Sequence, residues 1–413
     1  MTSFPDGFLW GAATAPHQIE GNNLGSDWWA QEQVTPGMEL SGDACDSYHR
    51  YREDIDLLAD AGLTSYRFGI EWARIEPIPG RFSNAELAHY RRMIEACLER
   101  GLTPVVTLQH FTTPLWFAQA GGWMAPDAGD AFVRFVTKAC SILGGVEWVA
   151  TMNEPNMQAA IITAMRRMQA QQGDRWQSPT VDAVGDSNVS DQDREQRARN
   201  EFLAYADPAI GAVLVDIHHG ARDAVRANSD AKVGWTIAAG ALTAAPGGEK
   251  KLEEIRYGKE DLFWEGARDD DWVGVQCYTS QQVDEHGLVP HPQRPDNTLV
   301  GTAFRPDSLG MAVRHAAEVT GGVPILVTEN GIATADDEQR IRYTHEALRG
   351  LHDAMADGID VRGYLHWSLL DNFEWGHWEP TFGLVAVDRE TFVRSPKPSL
   401  NWLGAVATRN ALN

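Results

Sequence analysis

The sequence predicts an α/β fold, a (β/α)8 (TIM) barrel, and two observations carry this prediction. A unit made of a helix with one apolar face, a glycine and a short apolar strand recurs along the chain, and eight candidate strands can be counted. The length of 413 residues allows one large barrel with long βα-loops, or two to three ordinary domains. A doubly wound parallel sheet is the structural alternative, since it shows the same alternation of helices and strands.

The clearest helix-strand unit begins at Ser83. Ser83 and Glu86 have the spacing of a capping box, and apolar residues recur at helical intervals until Gly101 ends the helix. A β-rich stretch from 103 to 108 follows at once. The other candidate strands lie at 8–13, 63–70, 146–152, 233–237, 272–278, 325–328 and 361–367, with helices predicted at 52–61, around 132–143, at 208–228, after Ser308 and at 337–357.

One segment departs from the repeating unit. From about 169 to 200 the chain is polar and has few apolar periods, and this segment follows the strand that ends at Glu154. We predict that it is a βα-loop, or a loop with a helix, at the carboxyl face, inside a divergent region of about 157–207. A domain linker is not expected, because the count of eight strands fails if the chain is cut there. The prediction is one catalytic domain over residues 1–413.

Composition narrows the possible partners. Hydrophobic residues make up 43% and charged residues 23%, as in ordinary globular proteins. A formal charge of −23 disfavours binding to nucleic acid or to an anionic membrane surface. No apolar run approaches the ~18 residues of a membrane span, and no secretory signal is visible, so we expect a cytoplasmic protein. The four cysteines lack metal-binding or disulfide spacing, and we expect neither a metal nor a cofactor.

Two of the candidate strands end on a glutamate. An apolar stretch from 325 ends at Glu329, and a similar stretch from 146 ends at Glu154. In a parallel sheet or barrel, both carboxylates would lie at the carboxyl edge of the strands, where α/β folds carry out their chemistry. Either glutamate alone could be a solvated cap or an ion-pair partner. Together they indicate two-carboxylate chemistry, and glycoside hydrolysis is the reaction most associated with it.

Six motifs are distributed over nearly the whole chain. They are residues 8–14 (FLWGAAT), 18–21 (QIEG), 66–75 (YRFGIEWARI), 151–155 (TMNEP), 328–331 (TENG) and 367–375 (WSLLDNFEW). In residue type, order and spacing, these motifs resemble those of glycoside hydrolase family 1, the retaining enzymes of β-glucosidase type. The fold of that family is the barrel predicted above.

This resemblance implies a catalytic set. Glu154 is similar to the acid/base that protonates the leaving oxygen and later activates water, and Glu329 is similar to the nucleophile. The pair must titrate together, with the pKa of Glu154 raised and Glu329 kept charged. Arg67 could hold Glu329 ionised, and Tyr278 could donate a hydrogen bond to it. Asn153 has the family's position for the sugar 2-hydroxyl.

The resemblance also implies a substrate-binding set and a glycon. Glu374 beside Trp375 accepts the outer hydroxyls of a neutral sugar in the family, which indicates an unphosphorylated glycon, most of all β-glucose, with β-galactose or β-fucose as secondary substrates. A phosphate near this carboxylate would be repelled. The substrate-binding residues implied by the match are Gln18, His110, Trp367, Glu374, Trp375 and Phe382.

Several positions depart from the family pattern. Phe111 and Thr112 stand where the family usually has tryptophan and aspartate, so an indole donor near the glycon is missing. Gln276 and Cys277 replace the usual Asn-Tyr, and Thr381 replaces a usual arginine. The sequence therefore predicts a retaining β-glycosidase acting on a small β-glycoside, and leaves the aglycone and the oligomeric state open. The alternatives are a transglycosylase or a non-catalytic carbohydrate-binding barrel.

Overall fold

A computed structural model of the chain describes residues 2–173 and 205–412. From residue 174 onward, the polar segment predicted at about 169–200 lies outside the described residues. The described part of the divergent region begins as a helix, Pro155–Gly173, which directly follows Glu154.

Eight parallel strands form a closed barrel, which confirms the predicted fold class. The last strand pairs with the first, with Gly363 opposite Leu9 and Trp367 opposite Ala13, and this closure excludes the doubly wound sheet. The strands are β1 Leu9–Ala13, β2 Ser65–Gly69, β3 Thr103–Thr107, β4 Trp148–Asn153, β5 Lys232–Ala238, β6 Val273–Gln276, β7 Ile325–Asn330 and β8 Val361–Trp367.

Long helices lie between these strands and after the last one, and their ends follow local sequence signals. Ser83 caps its helix by accepting a hydrogen bond from the backbone N–H of Glu86. Gly62 ends another helix at φ 90°, a left-handed conformation that glycine adopts without strain. The helices are α1 Ser47–Ala61, α2 Asn84–Glu99, α3 Ala128–Ala139, α4 Pro155–Gly173, α5 Pro208–Asn228, α6 Ser308–Thr320, α7 Asp337–Ala356 and α8 Pro398–Arg409.

The start of α1 differs from its prediction. The helix begins at Ser47, whereas the apolar pattern indicated a start near Arg52. Residues 47–51 are mostly polar or partly exposed, so they add little to the apolar periodicity that marks a helix face.

The four cysteines, which carry no disulfide, are all buried.

The core has two layers, on the two sides of the strand wall. Alternate strand residues such as Ala13, Val105 and Leu326 face the barrel interior, and their neighbours such as Val106 and Val327 pack against the helices. Burying one such side chain stabilises the fold by roughly 1.5–3 kcal/mol. The strands thereby hold their carboxyl ends in fixed positions around one opening.

Shorter elements extend the loops around the barrel. The short helices are Pro16–Ile19, Asp27–Glu32, Trp72–Ile75, Leu115–Gln119, Gly122–Met124, Cys140–Ile142, Glu249–Arg256, a π-helical turn Tyr257–Asp261, and Leu262–Gly266. The small strands pair as Thr2–Ser3 with Ala411–Leu412 and Val385–Val387 with Arg394–Pro396. In a three-stranded sheet, Gln282–Asp284 lies between Thr243–Ala244 and Gly287–Leu288 and pairs with both. None of the helices among the described residues has the length and apolar character needed to cross a membrane.

Candidate active site

A cavity of about 530 Å³ opens among the residues that follow the barrel strands. Nine of the eleven residues predicted for the site line it, and the two others, Gln18 and Arg67, each contact a carboxylate in its wall. The nine lining residues are His110, Asn153, Glu154, Tyr278, Glu329, Trp367, Glu374, Trp375 and Phe382.

Glu329 is held by three hydrogen-bond donors. Its Oε1 accepts from Arg67 Nη1 at 2.6 Å and from Gln276 Nε2 at 2.8 Å. Its Oε2 accepts from the hydroxyl of Tyr278 at 2.5 Å. The carboxylate is 4% exposed, so these donors replace the water that would otherwise solvate its charge. The two contacts expected from Arg67 and Tyr278 are present, and Gln276 adds a third.

Asn153 is oriented by two of the donors that bind Glu329, Arg67 and Gln276, and by Thr236. Its Oδ1 accepts from Arg67 Nη2 at 2.6 Å, from Gln276 Nε2 at 2.8 Å and from Thr236 Oγ1 at 2.9 Å. Its Nδ2 therefore points the other way and lies 3.1 Å from His110 Nε2. An amide nitrogen can only donate, so this contact makes Nε2 of His110 the acceptor.

His110 must then carry its proton on Nδ1. Burial, together with the nearby Arg67 charge, lowers the pKa of His110 well below its usual range, so the ring is neutral. Its Nδ1 is buried and has no hydrogen-bond partner among the described residues. Since His110 lines the cavity, this leaves one unused N–H donor at the site.

Glu154 has surroundings of the opposite kind. It lies just past β4 at φ 46°, its backbone N–H donates to Thr236 O at 2.8 Å, and helix α4 starts at the next residue. Its carboxylate accepts no hydrogen bond from residues 2–173 and 205–412. Burial, followed by the charge of Glu329, raises the pKa of Glu154 to about 8, while Arg67 and Lys259 act to lower it.

The pKa values of both glutamates are raised, and their contacts decide which of the two is protonated more readily. Burial raises the pKa of Glu329 as well, whereas Arg67 and Tyr278 lower it. Donors that favour an ionised carboxylate surround Glu329 and are missing around Glu154 in the described chain. The contacts therefore favour protonation of Glu154 over protonation of Glu329.

A third carboxylate, that of Glu374, also lines the cavity. Its Oε1 accepts from the indole N–H of Trp367 at 3.2 Å, and its Oε2 accepts from Gln18 Nε2 at 3.3 Å. Gln18 Nε2 also donates to Asn372 Oδ1 and to the backbone oxygen of Phe373, both at 2.8 Å. Burial raises the pKa of Glu374 to about 8, against the lowering effect of the Trp367 indole.

Aromatic rings form much of the remaining wall. Trp375 packs parallel to His17 and His110, with ring centroids 5.8 and 6.0 Å away. The ring of Phe111 meets it edge-on at 5.0 Å, and Trp28 lies at 4.7 Å. Rings of this kind can pack on the C–H faces of a sugar while the polar groups bind its hydroxyls.

The positions that depart from the family pattern fall both inside and outside the cavity. Phe111 lines it, and Gln276 lies behind it between Glu329 and Asn153. The hydroxyl of Thr112 instead donates to Glu71 at 2.7 Å, and that of Thr381 donates to the backbone oxygen of Thr334 at 3.0 Å. The last two side chains are used for local structure.

Some residues of the site escaped the sequence prediction. The sequence showed Gln276 as a departure from the family pattern at the end of a strand, and this position could have indicated a role in the site. Lys259 had no such signal, because a lysine in a polar helical stretch is ordinarily solvated; here it lies in the π-helical turn and acts electrostatically on Glu154. Met157, Ile161 and Val300, which also line the cavity, resemble ordinary apolar residues in the sequence.

A (β/α)8 barrel whose strand ends bring together a buried and a partly buried glutamate, an arginine, a tyrosine and a wall of aromatic rings is characteristic of glycoside hydrolases. The comparisons with known proteins agree. The sequence profile of glycosyl hydrolase family 1 matches residues 1–166 and 269–412. The chain belongs to this family and is a glycoside hydrolase of β-glycosidase type.

Relatives and solved structures cover almost the whole chain. The thermostable β-glucosidase B of Thermobispora bispora is 32% identical, over 99% of this chain and 92% of the relative. A crystal structure of a β-glycosidase is 41% identical with a TM-score of 0.85, over 99% of this chain and 98% of that one. The family 1 β-glucosidase structure from Thermotoga maritima is 27% identical with a TM-score of 0.82, over 100% of both chains.

Proposed function

We propose that the chain is a retaining β-glycosidase in which Glu329 is the nucleophile and Glu154 the acid/base. The observation that carries this proposal is the contrast between the two carboxylates. Three hydrogen-bond donors favour the ionised form of Glu329, whereas burial raises the pKa of Glu154 to about 8. A nucleophile needs the first environment and a general acid needs the second.

In the first step, an oxygen of Glu329 attacks the anomeric carbon. The bond to the leaving oxygen breaks, and Glu154 gives its proton to that oxygen, so that a glycosyl-enzyme and a free alcohol result. Arg67 and Tyr278 hold the attacking carboxylate in place through their bonds to Oε1 and Oε2. The second hydrogen of Asn153 Nδ2 is free to bind the sugar 2-hydroxyl, since only one is used by His110.

The second step reverses the proton transfer. Forming the glycosyl ester removes the negative charge of Glu329, and this charge is the second-largest cause of the raised pKa of Glu154. The pKa of Glu154 must therefore fall in the intermediate, which turns the residue from an acid into a base. It can then take a proton from water as the water attacks the anomeric carbon and releases the sugar with its configuration retained.

A panel of nitrophenyl β-glycosides tests the activity. We expect release of nitrophenol from the glucoside, with slower release from the galactoside and fucoside, and β-glucose as the first sugar anomer detected by proton NMR. An α-anomer as first product would contradict the double displacement. Product analysis with an added alcohol shows whether transfer exceeds hydrolysis, and binding without any turnover would favour a carbohydrate-binding barrel.

We further propose a neutral glycon, with Glu374 as the acceptor for its outer hydroxyls. Replacing this residue, Glu374→Gln, keeps the shape but removes the charge, and should weaken kcat/KM for nitrophenyl β-glucoside by about 1.5–3 kcal/mol once the carboxylate is ionised. Because its pKa is raised to about 8, the ratio of wild type to variant should grow as pH rises from 6 to 9, and the titration of Glu154 cancels in that ratio.

The 6-phosphate of the same glucoside is the matching substrate control. A negatively charged Glu374 would repel the phosphate by about 1 kcal/mol at ~4 Å even in water, and by more in a partly dry site. Wild-type enzyme should therefore prefer the unphosphorylated glucoside. A preference for the phosphate, or a ratio that stays flat across this pH range, would remove Glu374 from the proposed role.

A further inference from the structure

The cavity contains an apolar wall that the proposed chemistry does not use. This wall, defined by Met157, Ile161, Val300, Ile332 and Pro380, is made of lining residues outside the predicted catalytic and substrate-binding sets. Of the described lining residues outside those sets, the polar side chains are Trp28, His377 and two threonines. Trp28 packs on Trp375, and the backbone N–H of His377 is bonded to Glu374, so both belong with the glycon residues.

Part of the apolar wall follows directly from the position of Glu154. Met157 and Ile161 come three and seven residues after Glu154 in the sequence, and the backbone N–H of Met157 donates to Glu154 O at 2.9 Å. With a helical rise of about 1.5 Å per residue, these side chains lie one and two turns along α4 from the acid/base. Glu154 must reach the glycosidic oxygen, so the residues beyond it face the leaving group.

Another part of the wall belongs to a turn whose threonine hydroxyls bond within the turn itself. The hydroxyls of Thr298 and Thr302 are 2.8 Å apart, and the backbone N–H of Thr302 donates to Thr298 Oγ1 at 3.1 Å. The backbone N–H of Leu299 donates to Ala333 O at 2.9 Å, which fixes the turn beside the loop after Glu329. Val300, 49% exposed, is the apolar side chain of the turn that lines the cavity, between the two threonines.

We propose that this wall is the aglycone subsite and that it selects an apolar, alkyl or aryl, aglycone over a second sugar. The inference rests on the proposed function, because it takes Glu154 as the acid. A sugar aglycone would bring hydroxyls to a surface with few free partners, and removing them from water without new hydrogen bonds is unfavourable. An alkyl chain would instead cover apolar surface, and each methylene buried adds to binding.

Binding of non-reacting S-glycosides tests the inference separately from catalysis. Calorimetry with methyl, butyl, hexyl and octyl 1-thio-β-glucoside should show a Kd that falls by up to about fourfold for each added methylene that is buried. Hexyl 1-thio-β-glucoside should bind more tightly than thiocellobiose, which carries the same glycon. A Kd that does not change with chain length, or tighter binding of thiocellobiose, overturns the proposal.

Two variants locate the effect on the wall. Val300→Asn should flatten the dependence of Kd on chain length and leave the Kd of the methyl thioglucoside unchanged. Leu299→Asn is the matched control, because Leu299 is the neighbouring residue and is 42% exposed but does not line the cavity. An equal effect of both variants would show that the turn as a whole, and not its cavity side, determines the slope.

The result that would contradict the proposed function differs from the result that would contradict the aglycone inference. If nitrophenyl β-glucoside is not hydrolysed, the assignment of Glu154 and Glu329 is wrong, while the thioglucoside series still reports whether the wall binds apolar groups. If the glucoside is hydrolysed and the series is flat, the catalytic proposal stands and the aglycone inference is wrong.

Discussion

Glu329 and Glu154 occupy similar positions at the ends of two barrel strands, yet their surroundings differ completely. Glu329 accepts hydrogen bonds from three side chains: Arg67 of β2, Gln276 of β6, and Tyr278, two residues after β6. Around Glu154, the described chain supplies burial and the charges of Glu329, Arg67 and Lys259 but no donor to the carboxylate. In the proposed mechanism, the same residue type has two chemical roles, and the neighbours rather than the glutamates themselves determine which role each one takes.

The backbone contributes to this difference. Glu329 lies inside β7, where its side chain enters the region between Arg67 of β2 and Gln276 of β6. Glu154 lies past β4 with a left-handed φ of 46°, which takes it out of the strand and into the turn before α4. The strand position gives access to donors on other strands, and the turn position removes Glu154 from them.

Removing Glu329 should have the largest effect on activity. For Glu329→Gly we expect a fall in kcat of roughly 10⁴-fold or more, because the nucleophile itself is lost. Added azide should restore turnover by attacking from the vacated face and yield an α-glycosyl azide, identified by NMR. Formation of a β-glycosyl azide by this variant would exclude Glu329 as the nucleophile.

Removing Glu154 should affect substrates unequally. For Glu154→Ala, a glucoside with a poor leaving group should lose about 10²–10⁴-fold in kcat/KM, since its oxygen needs the proton. A dinitrophenyl glucoside should lose far less in the first step, and azide should now give the β-product. If good and poor leaving groups suffer equally, Glu154 is not the general acid.

Replacing Gln276 should make the surroundings of Glu329 more like those of Glu154. The change Gln276→Met keeps the length but removes the donor to Glu329 and Asn153, and should cost about 1.5–3 kcal/mol in kcat/KM, or roughly 10- to 150-fold. Loss of a donor to the ionised form raises the pKa of Glu329, so the acid limb of the pH profile should move to higher pH.

A matched control exists for this substitution. Gln281 is partly buried, and its amide donates to the backbone oxygen of Val289 at 3.0 Å, outside the network of Glu329. Gln281→Met should leave the acid limb in place. A drop in rate for Gln276→Met without any movement of that limb would indicate a general structural defect instead.

Replacing Lys259 should give the smallest effect, and this effect is on the pKa of Glu154 rather than on Glu329. Its positive charge lowers the pKa of Glu154, which burial raises to about 8. Lys259→Met should raise that pKa further, so Glu154 stays protonated to higher pH and the basic limb of kcat/KM moves up from about 8. Lys251→Met, an exposed lysine paired with Glu254, is the control and should not move the limb.

The sequence by itself determined the repeating architecture and indicated the two glutamates for which we propose the catalytic roles. Signals such as the Ser83 cap and the Gly62 stop act over a few residues, so they can be recognised without the fold. Strands that end in Glu154 and Glu329 could be paired because parallel strands in a barrel place their carboxyl ends on one face. Motifs along the chain then indicated the family.

Only the tertiary structure decided how each glutamate is used. Arg67 and Glu329 are 262 positions apart in the sequence, and Gln276 connects Glu329 to Asn153 across 53 and 123 positions. No local pattern encodes such contacts, because they depend on the register of strands closed around a common axis. The tautomer of His110, the charge of Lys259 near Glu154 and the apolar wall arise in the same way, from side chains that meet only when the barrel closes.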